Sequence, residues 1–118
     1  MKLFKNLSVV LFHPKVRLEH DLNLVHNNGM ALKQIKHQTE LVCIEACNQQ
    51  AFALMYVKHQ TVRICKTACH KDGCALRLVK HQTEEICIEA INANPYAFVY
   101  VKNRTPKIWD LINNYKIA

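Results

Sequence analysis

Apolar residues return along this chain at a fixed interval of 22. In rows of that length, Ala31, Ala53, Ala75 and Ala97 share a column, and Leu32, Leu54, Leu76 and Phe98 share the next. Ile35, Val57, Val79 and Val101 form a third column, Val42, Ile64, Ile86 and Ile108 a fourth, and Cys43, Cys65, Cys87 and Trp109 a fifth. Within a row, positions 42, 43, 46 and 47 follow the spacing of one helical face, and 53, 54 and 57 repeat it over a shorter stretch. Each row therefore predicts two short helices. Units of this size bury their apolar faces only against their neighbours, so the expected fold is all-α: an α-solenoid of stacked two-helix repeats with a 22-residue period.

The polar positions say where each helix starts. The stretch "VKHQT" at Val57–Thr61 recurs at Val79–Thr83, as "IKHQT" at Ile35–Thr39 and as "VKNRT" at Val101–Thr105. Thr39, Thr61, Thr83 and Thr105 each stand just before the longer helix, where a hydroxyl caps an orphan backbone N–H. Pro106 takes the first helical position that proline favours. Glu40, Glu84 and Glu85 place negative charge in a first turn, and the preceding lysine places positive charge at the end of the short helix. Arg63 and Lys107 break that charge rule. Gly29, Ala51, Gly73 and Pro95 mark the joint between the two helices, with glycine expected as a left-handed cap and proline as a first-turn residue.

The organisation expected is one domain over residues 1–118: a degenerate N-terminal cap repeat (1–29), core repeats (30–105) and a C-terminal capping helix (106–118). In the first copy Asp21 replaces the cysteine, and "NLSVVLFHP" reads as a leading short helix stopped by Pro14. In the last copy Trp109 takes the cysteine position.

Composition narrows the function classes. Half of the residues are apolar and two are glycine, which suits ordered helical structure. The net charge of +7 favours an acidic partner, whether nucleic acid, an anionic membrane or an acidic protein. No apolar run approaches the roughly 20 residues of a spanning helix. The opening "MKLFKNLSVVLF" has too short an apolar core for a secretory leader and no small-residue cleavage site follows it. The expectation is an intracellular protein with reduced thiols and no membrane association.

Six cysteines and seven histidines raise the question of metal. Cys43/Cys47 and Cys65/Cys69 are spaced to share a helical face, with His70 adjacent, and thiolate with imidazole suits zinc. Yet Cys47 and Cys69 align with Val25 and Ile91, and Cys74 with Met30, Phe52 and Tyr96, as small buried hydrophobes would. Cysteines are therefore read as structural, with no metal and no cofactor. Lys36, His37, Lys58, His59, Lys80, His81 and Lys102 form the candidate binding edge, a ladder able to contact phosphates. Gln38, Gln60 and Gln82 are expected to hydrogen-bond between turns, and Tyr56 and Tyr100 to pack. Catalysis needs unlike groups that converge, whereas these polar residues recur in rows, and G-x-S-x-G, P-loop and H-E-x-x-H motifs are absent. His70, Lys71 and Asp72 read as a helix end. No enzymatic activity is expected.

The segment Ala75 to Ala90, with Lys80, Gln82, Thr83, Glu85, Ile86, Cys87 and Ala90, resembles the A-L-x-x-V-K-x-Q-T-x-E-I-C-x-x-A pattern of a short helical repeat family. That family has no established activity and is abundant in amoeba-infecting giant viruses of the mimivirus and megavirus type. The likeness spans roughly residues 20 to 112; Glu40, Arg63 and Asn103-Arg104 depart from the pattern. The resemblance implies a viral protein acting in the host cytoplasm or viral factory, or carried in the virion. The leading expectation is a scaffold or adaptor for a protein partner, with self-association through the end repeats open. The rival is a basic nucleic-acid-binding module that uses the Lys/His edge.

Overall fold

The structure, a computed structural model, describes residues 13 to 115. Five α-helices alternate with four 3-10 helices among them. The α-helices are α1 (Pro14–Asn27), α2 (Glu40–Gln49), α3 (Val62–Lys71), α4 (Glu84–Ala93) and α5 (Pro106–Asn114). The 3-10 helices are η1 (Gly29–Gln34), η2 (Ala51–Tyr56), η3 (Gly73–Leu78) and η4 (Pro95–Tyr100). The protein is all-α, and no strand occurs among the described residues. The α-helices pack on one another in chain order, the 3-10 helices do the same beside them, and the molecule extends 56 Å in its longest direction.

Each α-helix after the first starts where its threonine caps it. The hydroxyls of Thr39, Thr61, Thr83 and Thr105 accept the N–H groups of Val42, Ile64, Ile86 and Ile108. Pro106 occupies the first turn of α5. Pro14 does the same in α1, so it opens a helix instead of stopping one. The leading helix expected before it lies outside the described residues.

The short second helix is a tight six-residue 3-10 element in every complete row. Its lysine stands beyond the C-cap rather than within the last turn; Val57, for example, caps η2 and Lys58 follows. The joints also depart from expectation. The chain turns from α to 3-10 helix through Asn28, Gln50, Asp72 and Asn94, all extended with φ between −142° and −153°. Gly29 and Gly73 form no left-handed cap. They are buried first residues of 3-10 helices, pressed on the next α-helix. A Cβ on Gly29 would lie 2.4 Å from the Ala46 carbonyl oxygen, and one on Gly73 would lie 2.3 Å from that of Ala90. Glycine is present for close approach, not for a positive φ.

One apolar core runs the length of the stack, from Val25 through Leu32, Leu54, Ile64, Leu76 and Ile86 to Ile108 and Ile112. It contains no buried polar or charged residue among those described. A six-residue helix is too short to be stable alone. Each one holds its shape because Ala53 and Leu54, or Ala75 and Leu76, fill the gap between consecutive α-helices.

Candidate functional site

The repeated turn is a hydrogen-bonded clamp. The Gln38 carboxamide donates from Nε2 to the Tyr56 carbonyl at 2.8 Å and accepts from the Lys58 N–H at 3.0 Å. Gln60 does the same with Leu78 and Lys80, and Gln82 with Tyr100 and Lys102. Each glutamine thereby satisfies a carbonyl and an amide at the end of the next row's 3-10 helix. The thiols of Cys43, Cys65 and Cys87 lie 3.6, 3.6 and 3.5 Å from the same glutamine oxygens, within reach as weak donors. In the last described row Arg104 and Trp109 replace the pair. No further row follows them in the described stack, and the Arg104 guanidinium instead stacks on Trp109 and Phe98 and donates to the Phe98 carbonyl. Trp109 is accordingly 42% exposed, where the cysteines of its column are buried.

Lys36, His37, Lys58, His59, Lys80, His81 and Lys102 are all exposed along this clamped edge. The Lys58 ammonium donates to the Lys36 carbonyl, 3.0 Å away in the preceding turn. Two clefts open on the edge. One, of about 360 Å³, is lined by Lys36, His37, Lys58, His59 and Glu40; the other, of about 300 Å³, by Lys80, His81, Lys102 and Glu84. Each cleft thus includes a carboxylate, which accepts a hydrogen bond from Thr61 or Thr105. A glutamate beside two lysines lowers the attraction for phosphate.

On the α-helical flank, ionisable side chains pair across rows. His26 meets Glu45 at 2.8 Å, His70 meets Glu89 at 2.6 Å, Lys66 meets Glu85, and Arg63 lies 3.7 Å from Glu40. The hydrogen bond from His26, assisted by Gln49, holds the Glu45 carboxyl below its usual range. Arg63, out of place for its own helix dipole, is explained by this neighbour. Lys71 ends α3, and the Asp72 carboxylate caps η3 by accepting the Cys74 N–H.

Cys43, Cys47, Cys65, Cys69 and Cys87 are buried, Cys74 is half-buried, and all six thiols are free. Burial pushes Cys43 and Cys65 up to about 11 and Cys47 and Cys69 up to about 12. These groups stay protonated near neutral pH, which suits packing more than metal ligation. No group of three or more metal-ligating side chains is gathered among the described residues.

The 3-10 flank differs from the other two: the column of Met30, Phe52, Cys74 and Tyr96, expected from the sequence to be buried, is half-buried at its first three positions and exposed at Tyr96. In a 3-10 helix residues i and i+3 eclipse one another. Met30 and Lys33, Phe52 and Met55, Cys74 and Arg77, and Tyr96 and Val99 therefore form a two-column stripe. Met55, Tyr96 and Val99 are 55%, 70% and 58% exposed. The Arg77 guanidinium lies 5.4 Å from the centre of the Phe52 ring, so neighbouring rows touch along the stripe. A cleft of about 370 Å³ beside it is lined by Met30, Gln50, Ala51, Phe52, Lys71 and Asp72. The signal was in the sequence as an i, i+3 offset between exposed apolar residues, hidden by the stronger core columns.

No helix among the described residues is long and apolar enough to cross a membrane. No family model, no curated protein and no solved structure matches the chain.

Proposed function

We propose that this chain is a small α-solenoid scaffold that binds a protein partner through the exposed stripe of its 3-10 helices. The single observation that carries the reading is the contrast among the three flanks. Ionisable side chains on the α-helical flank pair across rows, and the glutamines of the turn edge serve the clamp. The 3-10 flank gathers the exposed apolar residues Met55, Tyr96 and Val99 on one stripe, while Leu41, Val62 and Trp109 are exposed singly on different α-helices. Methionine, aromatic residues and arginine are the types that protein interfaces favour at their centres. A stack of like units presents such a stripe as a continuous surface. The viral origin implied by the resemblance, and action in the host cytoplasm or viral factory, belong to the same proposal.

The rival reading, a nucleic-acid module on the Lys/His edge, draws on the seven exposed basic and imidazole side chains there. The glutamates in both edge clefts weigh against it. Affinity capture with and without nuclease, together with a variant carrying glutamine at Lys36, Lys58, Lys80 and Lys102, separates the two. The expected result is a protein partner that survives nuclease and is retained by the variant. Tight DNA or RNA binding at physiological salt, abolished by the variant and with a flattened salt slope, would instead establish the rival.

A further inference from the structure

The proposed scaffold surface has a charge pattern of its own. The four 3-10 helices carry Lys33 and Arg77 and no acidic residue. Of the chain's nine carboxylate side chains, only Asp72 stands beside the stripe, at the cap of η3; the other eight lie on α-helices. Along the outer column the order is Lys33, Met55, Arg77, Val99, so cation and apolar side chain alternate from row to row. Apolar pairs fall at Phe52/Met55 and at Tyr96/Val99, two rows apart, with Arg77 between them. Packed helices lie roughly 8–10 Å apart, so the two apolar pairs are about 20 Å apart. Arg77 springs from the row between them, and its guanidinium reaches back to 5.4 Å from the Phe52 ring centre. The stripe itself is narrow: three residues of 3-10 helix rise only about 6 Å.

On the basis of the scaffold reading, we infer that the stripe binds an acidic segment of a partner protein in polyproline II conformation, with apolar anchors about six residues apart and a carboxylate between them. A polyproline II chain rises about 3.1 Å per residue and turns once every three residues, so about three residues span one row, about six span two, and side chains at i, i+3 and i+6 face the stripe together. Anchors at that interval reach Phe52/Met55 and Tyr96/Val99 while the intervening acid meets Arg77. A second acid about three residues beyond the first anchor, on its other side, meets Lys33. An α-helix, about 10–12 Å across with its side chains, is too wide to lie in register on a stripe of this width.

The probe is a fluorescent synthetic peptide of about twelve residues with two phenylalanines about six positions apart, aspartates midway and about three positions outside the first, and a serine background. Fluorescence anisotropy should show saturable binding that weakens with added salt. Arg77→Glu and the Met55→Ser/Val99→Ser double variant should each weaken it about tenfold or more, both being changes at exposed positions that leave the core intact. The variant with glutamine at all four edge lysines should bind as the parent does. Absence of binding, equal binding of a scrambled peptide of the same composition, or loss of binding in the edge variant would each overturn the inference. If the peptide fails while nuclease-resistant capture of a protein persists, the scaffold reading stands and only this partner chemistry falls.

Discussion

The Cys65 thiol lies 3.6 Å from the Gln60 oxygen, while Cys69, one turn along the same helix, is fully buried in the apolar core. Two residues of one type therefore have different tolerances. Cys69→Ser should destabilise the protein by about 1–3 kcal/mol, the usual range for burying a polar group without a good partner. Cys65→Ser should cost less, because the Gln60 oxygen accepts its hydroxyl. Urea unfolding of the two variants checks this, and equal losses would contradict the clamp. The threonine caps were legible from sequence because capping is a local rule, read from the residue and the helix that follows it. The bridging role of glutamine was legible too, although the thiol's place beside it was not: column alignment with hydrophobes reports burial and says nothing about a weak donor. Arg104 and Trp109 replace glutamine and cysteine together, a paired change whose sense appears only once the clamp is seen to reach into the following row.

At the scale of the element, the joints were misread because glycine's usual local role is a left-handed cap. The real cause lies 17 residues further along the chain for both, where the Ala46 carbonyl faces Gly29 and the Ala90 carbonyl faces Gly73. No local rule could find it. Gly73→Ala should destabilise by about 1–3 kcal/mol, as overpacking against backbone does. Ala51→Gly, at the equivalent position two helices earlier, should cost about 1–2 kcal/mol, through chain entropy and the loss of a buried methyl. Thermal unfolding gives both values, and a neutral Gly73→Ala would refute the close approach. The 3-10 character of the second helix was also hidden, since its buried positions 53, 54 and 57 satisfy α-helical spacing equally well.

Over the whole molecule the apolar columns and the glutamine clamp repeat every 22 residues, but the side-chain pairs between α-helices and the glycine contacts repeat every 44. His26–Glu45 and His70–Glu89 join α1 to α2 and α3 to α4, the same two junctions that Gly29 and Gly73 tighten. Thr61–Glu40 and Thr105–Glu84 join the alternate pairs, α2 to α3 and α4 to α5. This longer period sits in polar residues and glycines, so a reading built on apolar columns did not register it. Repeat arrays gain stability from each matched neighbour interface. A second copy of residues 59–102 inserted after position 102 should therefore raise the melting temperature. A second copy of 59–80 alone, inserted after 80, should leave it unchanged or lower. A rise half as large as that of the longer insertion would mean that the two junction types are interchangeable. The proposal that the 3-10 flank meets a protein partner is tested most directly by hydrogen exchange on the complex with a captured, nuclease-resistant partner. Protection is predicted in Ala51–Tyr56, Gly73–Leu78 and Pro95–Tyr100, with little change in the turns at 36–39 and 58–61. Protection concentrated in those turns, with the 3-10 helices unaffected, would contradict it.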